Sequence, residues 1–284
     1  MVNFNGNLID EISSNITPEN RGYKYGDALF ETLKVVNGKI FFWEDHYFRL
    51  MASMRIMRMD IPMHFTMEFL ETELLKTVEA NHLINASARV RLNVDRGEGG
   101  KYLPNDDAQV TFNIIAEALE SPFYNIDRNR DYVIDLYKDF FVSPGILSGL
   151  KSNNKAIPVL GSIYAKENNY DNCLILNTNK SVIEALNGNL FLVKGDTIKT
   201  PPLEDGCLRG VMRKQVLKIL SQDVNLFVEE ASISPFELQK ADELFITNVI
   251  KGILPITKYR KKEYGRDFAQ KVVGRLNTQL RLMS

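Results

Sequence analysis

A chain of 284 residues is long enough for one large or two medium domains with substantial cores. Its 35 basic and 36 acidic side chains leave a net charge of −1, so there is no overall field to recruit nucleic acid or an anionic membrane. Two cysteines (Cys173, Cys207) and three scattered histidines (His46, His64, His82) give neither a disulfide framework nor a metal-ligand spacing.

The amino-terminal residues form a polar, turn-rich lead-in without a basic region followed by an apolar run, and no stretch approaches the length of a membrane span. A cytoplasmic protein is expected. The first strand signal is Ala28 to Val36; the turn Asn37-Gly38 and a second apolar run, Lys39 to Trp43, complete a predicted hairpin. Glu44-Asp45 open an amphipathic helix to about Met59, broken by Pro62, and a second helix covers about Thr66 to Asn81. Met51, Met54, Met57 and Met59 read as core filler on the first of these helices. Strands follow at Ala88 to Val94 and Gln109 to Leu119, separated by a loop containing the glycine-rich Arg96 to Gly100, which lacks the GxGxxG spacing of a nucleotide site. Strands, helices and strands in that order indicate an α+β unit with mostly antiparallel pairing.

The pattern lapses around Glu120 to Asn129, which includes Pro122, and a domain boundary is placed there: residues 1–119, a linker at 120–129, and residues 130–284. The second part reads as a strand at Tyr132 to Tyr137, an apolar segment at Phe140 to Leu150, and a helix from about Ile157 to Asn168. Hairpins follow at Cys173–Leu176 with Ser181–Ala185 and at Asn189–Val193 with Thr197–Thr200, ended by Pro201-Pro202. A helix covers about Val211 to Leu220, a strand Glu243 to Thr247, and a helix roughly Asp267 to Leu282. The basic run Lys258 to Lys262 is followed closely by Glu263, Arg266 and Asp267 and reads as a solvated turn.

Several positions bear on chemistry. Lys151 ends the uncharged run Ser143 to Leu150, surroundings that favour a neutral, nucleophilic amine suited to an imine with an aldehyde; taken alone, a lysine snorkelling from a loop is the favoured reading. Glu184, between apolar neighbours in a short strand, is either on the solvent face or buried with a partner such as a protonated pyridine nitrogen. Gly206 to Arg213 lead directly into a helix, where the amides of Val211 and Met212 and the positive dipole end suit a phosphate; a simple helix start with a permissive glycine reads equally well. The strand Leu244 to Thr247 runs into Asn248-Val249, a second place where backbone amides can meet an anion, although an ordinary strand end is the favoured reading of that segment alone. His46 and Arg49, three apart, share a helix face, and Arg49 can offer a bidentate phosphate contact.

Together these segments resemble the fold-type IV pyridoxal-phosphate family, the aminotransferase class IV group of branched-chain aminotransferases, D-amino-acid aminotransferases and aminodeoxychorismate lyases. Arg21 to Thr32 are similar to its N-terminal signature, and His46-Tyr47-Phe48-Arg49-Leu50 matches its HxxRL element. Gly149 to Asn154 resemble the Schiff-base lysine segment, Glu184 to Phe191 the glutamate stretch, and Thr200 to Leu203 with Gly210 to Arg213 the phosphate loop. The resemblance implies an α/β (α+β) chain of two domains with pyridoxal 5′-phosphate at the domain interface, usually in a homodimer, acting on amino acids and 2-oxo acids. By it, Lys151 forms the internal aldimine and shuttles the proton; Glu184 keeps the ring nitrogen protonated; and Arg49 with Val211, Met212, Asn248 and Val249 surrounds the phosphate. Tyr25, Arg91 and Arg96 are the substrate-side candidates, with Lys101 nearby.

Departures bear on the subgroup. The GGNY element of branched-chain enzymes is replaced by Asn153-Asn154-Lys155-Ala156, and Val249 stands where they have threonine, leaving only a backbone contact. Phe30 lies where D-amino-acid enzymes tend to have tyrosine. Gly149-Leu150-Lys151 with Asn154 and Gly210-Val211-Met212-Arg213 lean toward the lyase, Tyr25 toward a branched-chain-type site. The expected function is amino transfer, with pyruvate elimination from aminodeoxychorismate as the alternative. A non-catalytic relative would have lost Lys151 or Glu184, and both are present.

Overall fold

The computed structural model describes residues 1–10 and 16–283. The chain forms two compact units, one of Met1–Pro122 with Lys151–Asn154, the other of Phe123–Leu150 with Lys155–Leu282.

The first unit begins with a hairpin of β1 (Val2–Phe4) and β2 (Asn7–Ile9), followed by α1 (Arg21–Tyr25), β3 (Ala28–Val36) and β4 (Lys39–Ile40). Two helices, α2 (Trp43–Ile56) and α3 (Met67–Ala80), precede β5 (Ser87–Asp95) and β6 (Thr111–Leu119). The sheet order is β2-β1-β6-β5-β3-β4, and every pairing is antiparallel, as the order of elements predicts. Alternation decides its faces. Leu29, Leu33 and Val35 of β3, Val90, Leu92 and Val94 of β5, and Phe112 and Ile114 of β6 bury against Leu50, Met51 and Met54 of α2 and Leu70, Leu74 and Val78 of α3. The methionines are core filler: Met51, Met54 and Met59 are buried and Met57 packs on the same cluster.

Two expectations change here. The lead-in contains a hairpin, because Asn5-Gly6 both take positive φ and so supply a two-residue turn between Val2–Phe4 and Asn7–Ile9. The run Lys39 to Trp43 is a strand only as far as Ile40: Phe42 adopts a left-handed φ of 57° and Trp43 already starts α2, with Glu44 and Asp45 at its positive end. Thr66 caps α3 by accepting from the Phe69 amide at 3.1 Å.

The second unit holds β7 (Val133–Val142), α4 (Ala156–Glu167), β8 (Asn172–Asn177), β9 (Val182–Ala185), β10 (Gly188–Lys194) and β11 (Thr197–Thr200). It continues with α5 (Val211–Leu220), β12 (Phe227–Glu230), α6 (Pro235–Leu238), β13 (Glu243–Asn248), β14 (Gly252–Ile256), β15 (Lys258–Tyr259), β16 (Lys262–Glu263) and α7 (Asp267–Met283). These strands make one mixed sheet, β12-β11-β10-β9-β8-β7-β15-β16, with β13 paired to β10 and β14 to β13. β7 runs parallel to β8 and β15, and β11 parallel to β12. Its core is built on Ile134, Leu136, Leu174, Leu176, Leu190, Leu192, Leu244 and Ile246.

The stretch around Pro122 is anchored in this unit from Phe123 onward. Tyr124 is buried, its hydroxyl donates to the Val249 carbonyl at 2.6 Å, and its backbone exchanges hydrogen bonds with the Asn277 side chain. The basic run is the β15–β16 turn: Arg260 takes a left-handed φ of 55°, and Tyr259 alone in the run is buried.

Candidate active site

In the first unit the lysine segment is fixed by its backbone. β4 is short, and the edge of β3 beyond it accepts Lys151–Asn153 instead. The Phe30 amide donates to the Lys151 carbonyl and the Asn153 amide to the Ala28 carbonyl, each at 2.9 Å, and Leu29 and Ser152 form an antiparallel bridge. The Lys151 amine then sits 4.4 Å from the centroid of the Phe30 ring. Arg91 shares that ring, its guanidinium carbon 3.9 Å from the centroid. Its Nε donates to Asn93 Oδ1 at 2.7 Å and its Nη2 to Asn153 Oδ1 at 3.3 Å. Burial lowers the Arg91 pKa, and Arg89 adds to the effect. The left-handed cap of α1 abuts the same segment: a Cβ on Gly26 would lie 3.8 Å from the Asn154 nitrogen. Tyr25 is the residue before it, its ring 5.6 Å from that of Tyr102 and 5.2 Å from the Arg21 guanidinium carbon.

On the core-facing side of β3, Glu31 interrupts the apolar alternation and is buried. Arg49 grips it side-on, Nε donating to Oε1 at 2.8 Å and Nη2 to Oε2, while His46 Nδ1 lies 2.7 Å from Oε2. Burial would raise the Glu31 carboxyl, but the charges of Arg49 and His46 and their hydrogen bonds bring it down to about 2. His46 is displaced downward by burial; Glu31 opposes that, and the charges of Arg49 and Lys151 reinforce it. The buried His46 Nε2 has no hydrogen-bond partner among the described residues.

Arg96 is placed differently. Its Nε donates to Asp27 Oδ2 at 2.8 Å, and its terminal nitrogens reach Asp27 Oδ1 and the carbonyls of Met57 and Arg58. It clamps the end of α2 to the β3 lead-in. Lys101 is exposed, and its carbonyl accepts from Arg21 at 2.6 Å.

In the second unit Glu184 lies on β9 opposite Ile175 and Asn189, and its Oε2 accepts from the Leu208 amide at 2.9 Å. Burial, followed by the charge of Glu184, pushes the neighbouring Cys207 thiol up to about 12. Asn189 Nδ2 donates to the Leu208 carbonyl at 2.9 Å. The same side chain requires a glycine at the start of α5, because a Cβ on Gly210 would lie 1.9 Å from Asn189 Oδ1. Gly210 provides no side-chain cap, and the first turn, with Val211 and Met212, has no acidic residue. Asn248 Oδ1 accepts from the Ile250 and Lys251 amides at 3.1 and 2.8 Å, so its side chain closes the turn that carries Val249. Thr247 Oγ1, like His46 Nε2, is among the buried side-chain atoms without a hydrogen-bond partner among the described residues.

The lysine, Arg91 and Phe30 thus converge in one unit, as do Arg49, His46 and Glu31; Glu184 and the α5 start converge in the other. Glu31, Asn153 and the Leu208 amide are additions that sequence patterning did not single out. Glu31 had a signal, since a carboxylate on the buried face of an alternating strand needs a partner and His46 and Arg49 supply it.

A model of the amino-transferase class IV family matches residues 28–259. The chain belongs to this family. Class IV members include pyridoxal-phosphate-dependent transaminases and lyases. One relative from Methanocaldococcus jannaschii, provisionally named a branched-chain-amino-acid aminotransferase, is 30% identical over 99% of this chain and 93% of its own. An aminodeoxychorismate lyase of Vibrio harveyi is 26% identical over 91% and 94%. Among solved class IV structures, a branched-chain aminotransferase from Thermoproteus uzoniensis superposes with a TM-score of 0.85 at 26% identity, covering 96% of this chain and 92% of that one. Among the described residues no helix is long and apolar enough to cross a membrane.

Proposed function

We propose that this class IV chain binds pyridoxal 5′-phosphate and moves the amino group of an amino acid to a 2-oxo acid, in the branched-chain manner. The observation that carries the proposal is Lys151, whose backbone is hydrogen-bonded into the edge of β3 so that its amine is delivered against Phe30 and Arg91. A snorkelling surface lysine needs no such anchoring.

The residues present fit the cofactor. The uncapped, glycine-initiated start of α5 suits a phosphate, the buried unpartnered His46 Nε2 and Thr247 Oγ1 are polar atoms suited to a bound polar ligand, and Glu184 is an acid held at one oxygen by the Leu208 amide. Lys151 would hold the cofactor's aldehyde carbon. Arg49 and the amides of Val211, Met212 and Val249 would hold its phosphate, with Asn248 keeping the Val249 turn closed. Glu184 would accept the hydrogen bond of the protonated pyridine nitrogen. When bound, pyridoxal phosphate supplies an electron sink for negative charge developing at the substrate Cα. Lys151 Nζ takes the Cα proton and returns it as general base and acid. Arg91 and Tyr25 serve the substrate; Arg96 acts on the site only through Asp27 and the end of α2. The protein works in the cytoplasm as a homodimer.

Pyruvate elimination from aminodeoxychorismate is the second reading. The Vibrio harveyi likeness favours it, as do the segments Gly149 to Asn154 and Gly210 to Arg213. The same lysine serves both reactions, so product analysis separates them. Purified protein supplied with pyridoxal 5′-phosphate should develop a visible absorbance band that Lys151→Ala lacks, and should transaminate branched-chain 2-oxo acids from glutamate. A band that survives Lys151→Ala would refute the lysine assignment. Pyruvate release from aminodeoxychorismate without transamination would replace the first reading by the second.

A further inference from the structure

We infer that Glu31 is a positioning residue for phosphate recognition, holding the Arg49 guanidinium in one orientation with His46 as its second strut. The inference deepens the proposed function and rests on its assignment of Arg49 to a phosphate monoester.

Glu31 lies on the buried face of β3 between Leu29 and Leu33, in the middle of a strand paired along its whole length with β5, so its backbone cannot shift. Its two oxygens receive Nε and Nη2 of Arg49, a side-on fork that fixes the guanidinium plane as a single hydrogen bond would not. His46 Nδ1 approaches the oxygen that Nη2 uses, from one helical turn before Arg49 on α2. A carboxylate held from two side chains of one rigid helix has no freedom to swivel.

A phosphate dianion is attracted by Arg49, but a carboxylate in contact with Arg49 cancels much of that attraction. If charge alone mattered, the Glu31 position would be better filled by a neutral group. An arginine side chain only 11% exposed does need an anion when no ligand is present, and here that anion also sets the direction of the guanidinium. The arrangement gives up field strength for orientation, and orientation matters for a rigid, threefold anion such as a phosphate ester. His46 fits the same account: through Nδ1 it braces the Oε2 that Arg49 Nη2 also uses.

The test compares equilibrium affinities of the full-length protein for pyridoxal 5′-phosphate and for pyridoxal, by spectral titration, with inorganic phosphate as a competitor. The ratio of the two affinities isolates the phosphate. In Glu31→Gln that ratio is expected to fall roughly 10- to 100-fold, the loss typical of a charge-assisted contact set askew, while affinity for pyridoxal stays within about twofold. Arg49→Ala should lose the ratio as well, and the double variant should be no worse than Arg49→Ala alone. His46→Gln, which keeps the ion pair and guards against a Glu31 variant that fails to fold, should lower the ratio by less. Three results would overturn the inference: a Glu31→Gln ratio equal to that of the unaltered protein, tighter binding of the phosphate ester by Glu31→Gln, or equal losses for both ligands. Failure of the unaltered protein to bind either ligand would instead sink the proposed function and the inference with it.

Discussion

At the scale of single residues, the sequence shows the chemistry-bearing side chains more readily than the ones that hold them. Lys151, Arg49 and Glu184 stand out because each is a charge in an apolar or motif-like setting. Asn153 and the Leu208 amide do not, because their role is a hydrogen bond to a residue 62 or 24 positions away and no local pattern reports it. Glu31 lies between these cases, and its titration makes a test. Its carboxyl is held at about 2 against an ordinary 4.5, so the folded state favours the ionised form. A depressed carboxyl stabilises the fold fully above its unfolded pKa and loses that contribution as the pH falls toward the folded value. The window therefore runs from about pH 4.5 down to about pH 2, and the contribution is on the order of 3 kcal/mol. Urea unfolding at a series of pH values should show the unaltered protein well above Glu31→Gln near neutrality, with the gap closing through that window. A gap that stays constant to pH 2 would mean that Glu31 ionisation is not coupled to folding.

At the scale of elements, strands and helices with a clear period were legible close to their ends: β3, β11 and α5 have the bounds that alternation and helical spacing give. The elements that were missed are short or depend on partners. β12 pairs only in parallel with β11 and so carries no hairpin signal, while β15 and β16 are two residues each, too short to alternate, and their hairpin lies within the basic run. The β13–β14 connection was also unread, although it carries Val249, and its geometry rests on one glycine. Gly252 has a φ of +72°, and a Cβ there would come within 2.4 and 2.6 Å of two Tyr124 ring carbons and 2.9 Å of its Cβ. Tyr124 cannot withdraw, since its hydroxyl is bonded to the Val249 carbonyl and its backbone to Asn277. Gly252→Ala thus combines backbone strain with overpacking and should destabilise the protein by about 2–4 kcal/mol. Because the turn displaced would be the one proposed to contact the phosphate, affinity for pyridoxal 5′-phosphate should fall with it. Thermal unfolding and spectral titration measure the two effects, and a variant as stable as the unaltered protein would show that the turn is not held in this way.

At the scale of the whole molecule, the two-sheet architecture was readable from the order of periodic segments. Placement of Lys151–Asn154 with the first unit was not, because the residues on both sides of that segment belong to the second and the pairing is with β3, over 120 residues earlier. What the sequence also left open is the surface of α4. This helix buries only Gly161 and Ala165, while Val159, Leu160 and Ile163 are 56%, 43% and 49% exposed. Gly161 is there because a Cβ would strike Leu186 at 2.4 Å, so the helix lies close on the sheet and turns its branched side chains outward. A helix with apolar residues on its outer side is ordinarily covered, and a second copy of this chain is the occupant that the proposed homodimer provides. Sedimentation equilibrium at micromolar concentration should then give twice the chain mass of 32.5 kDa, and Val159→Glu with Ile163→Glu should return it to the single value while leaving the unfolding transition of the monomer cooperative. If the unaltered protein sediments as one chain, α4 is not a self-association surface; if the double variant remains dimeric, the interface lies elsewhere, and the exposed side chains of α4 need another explanation.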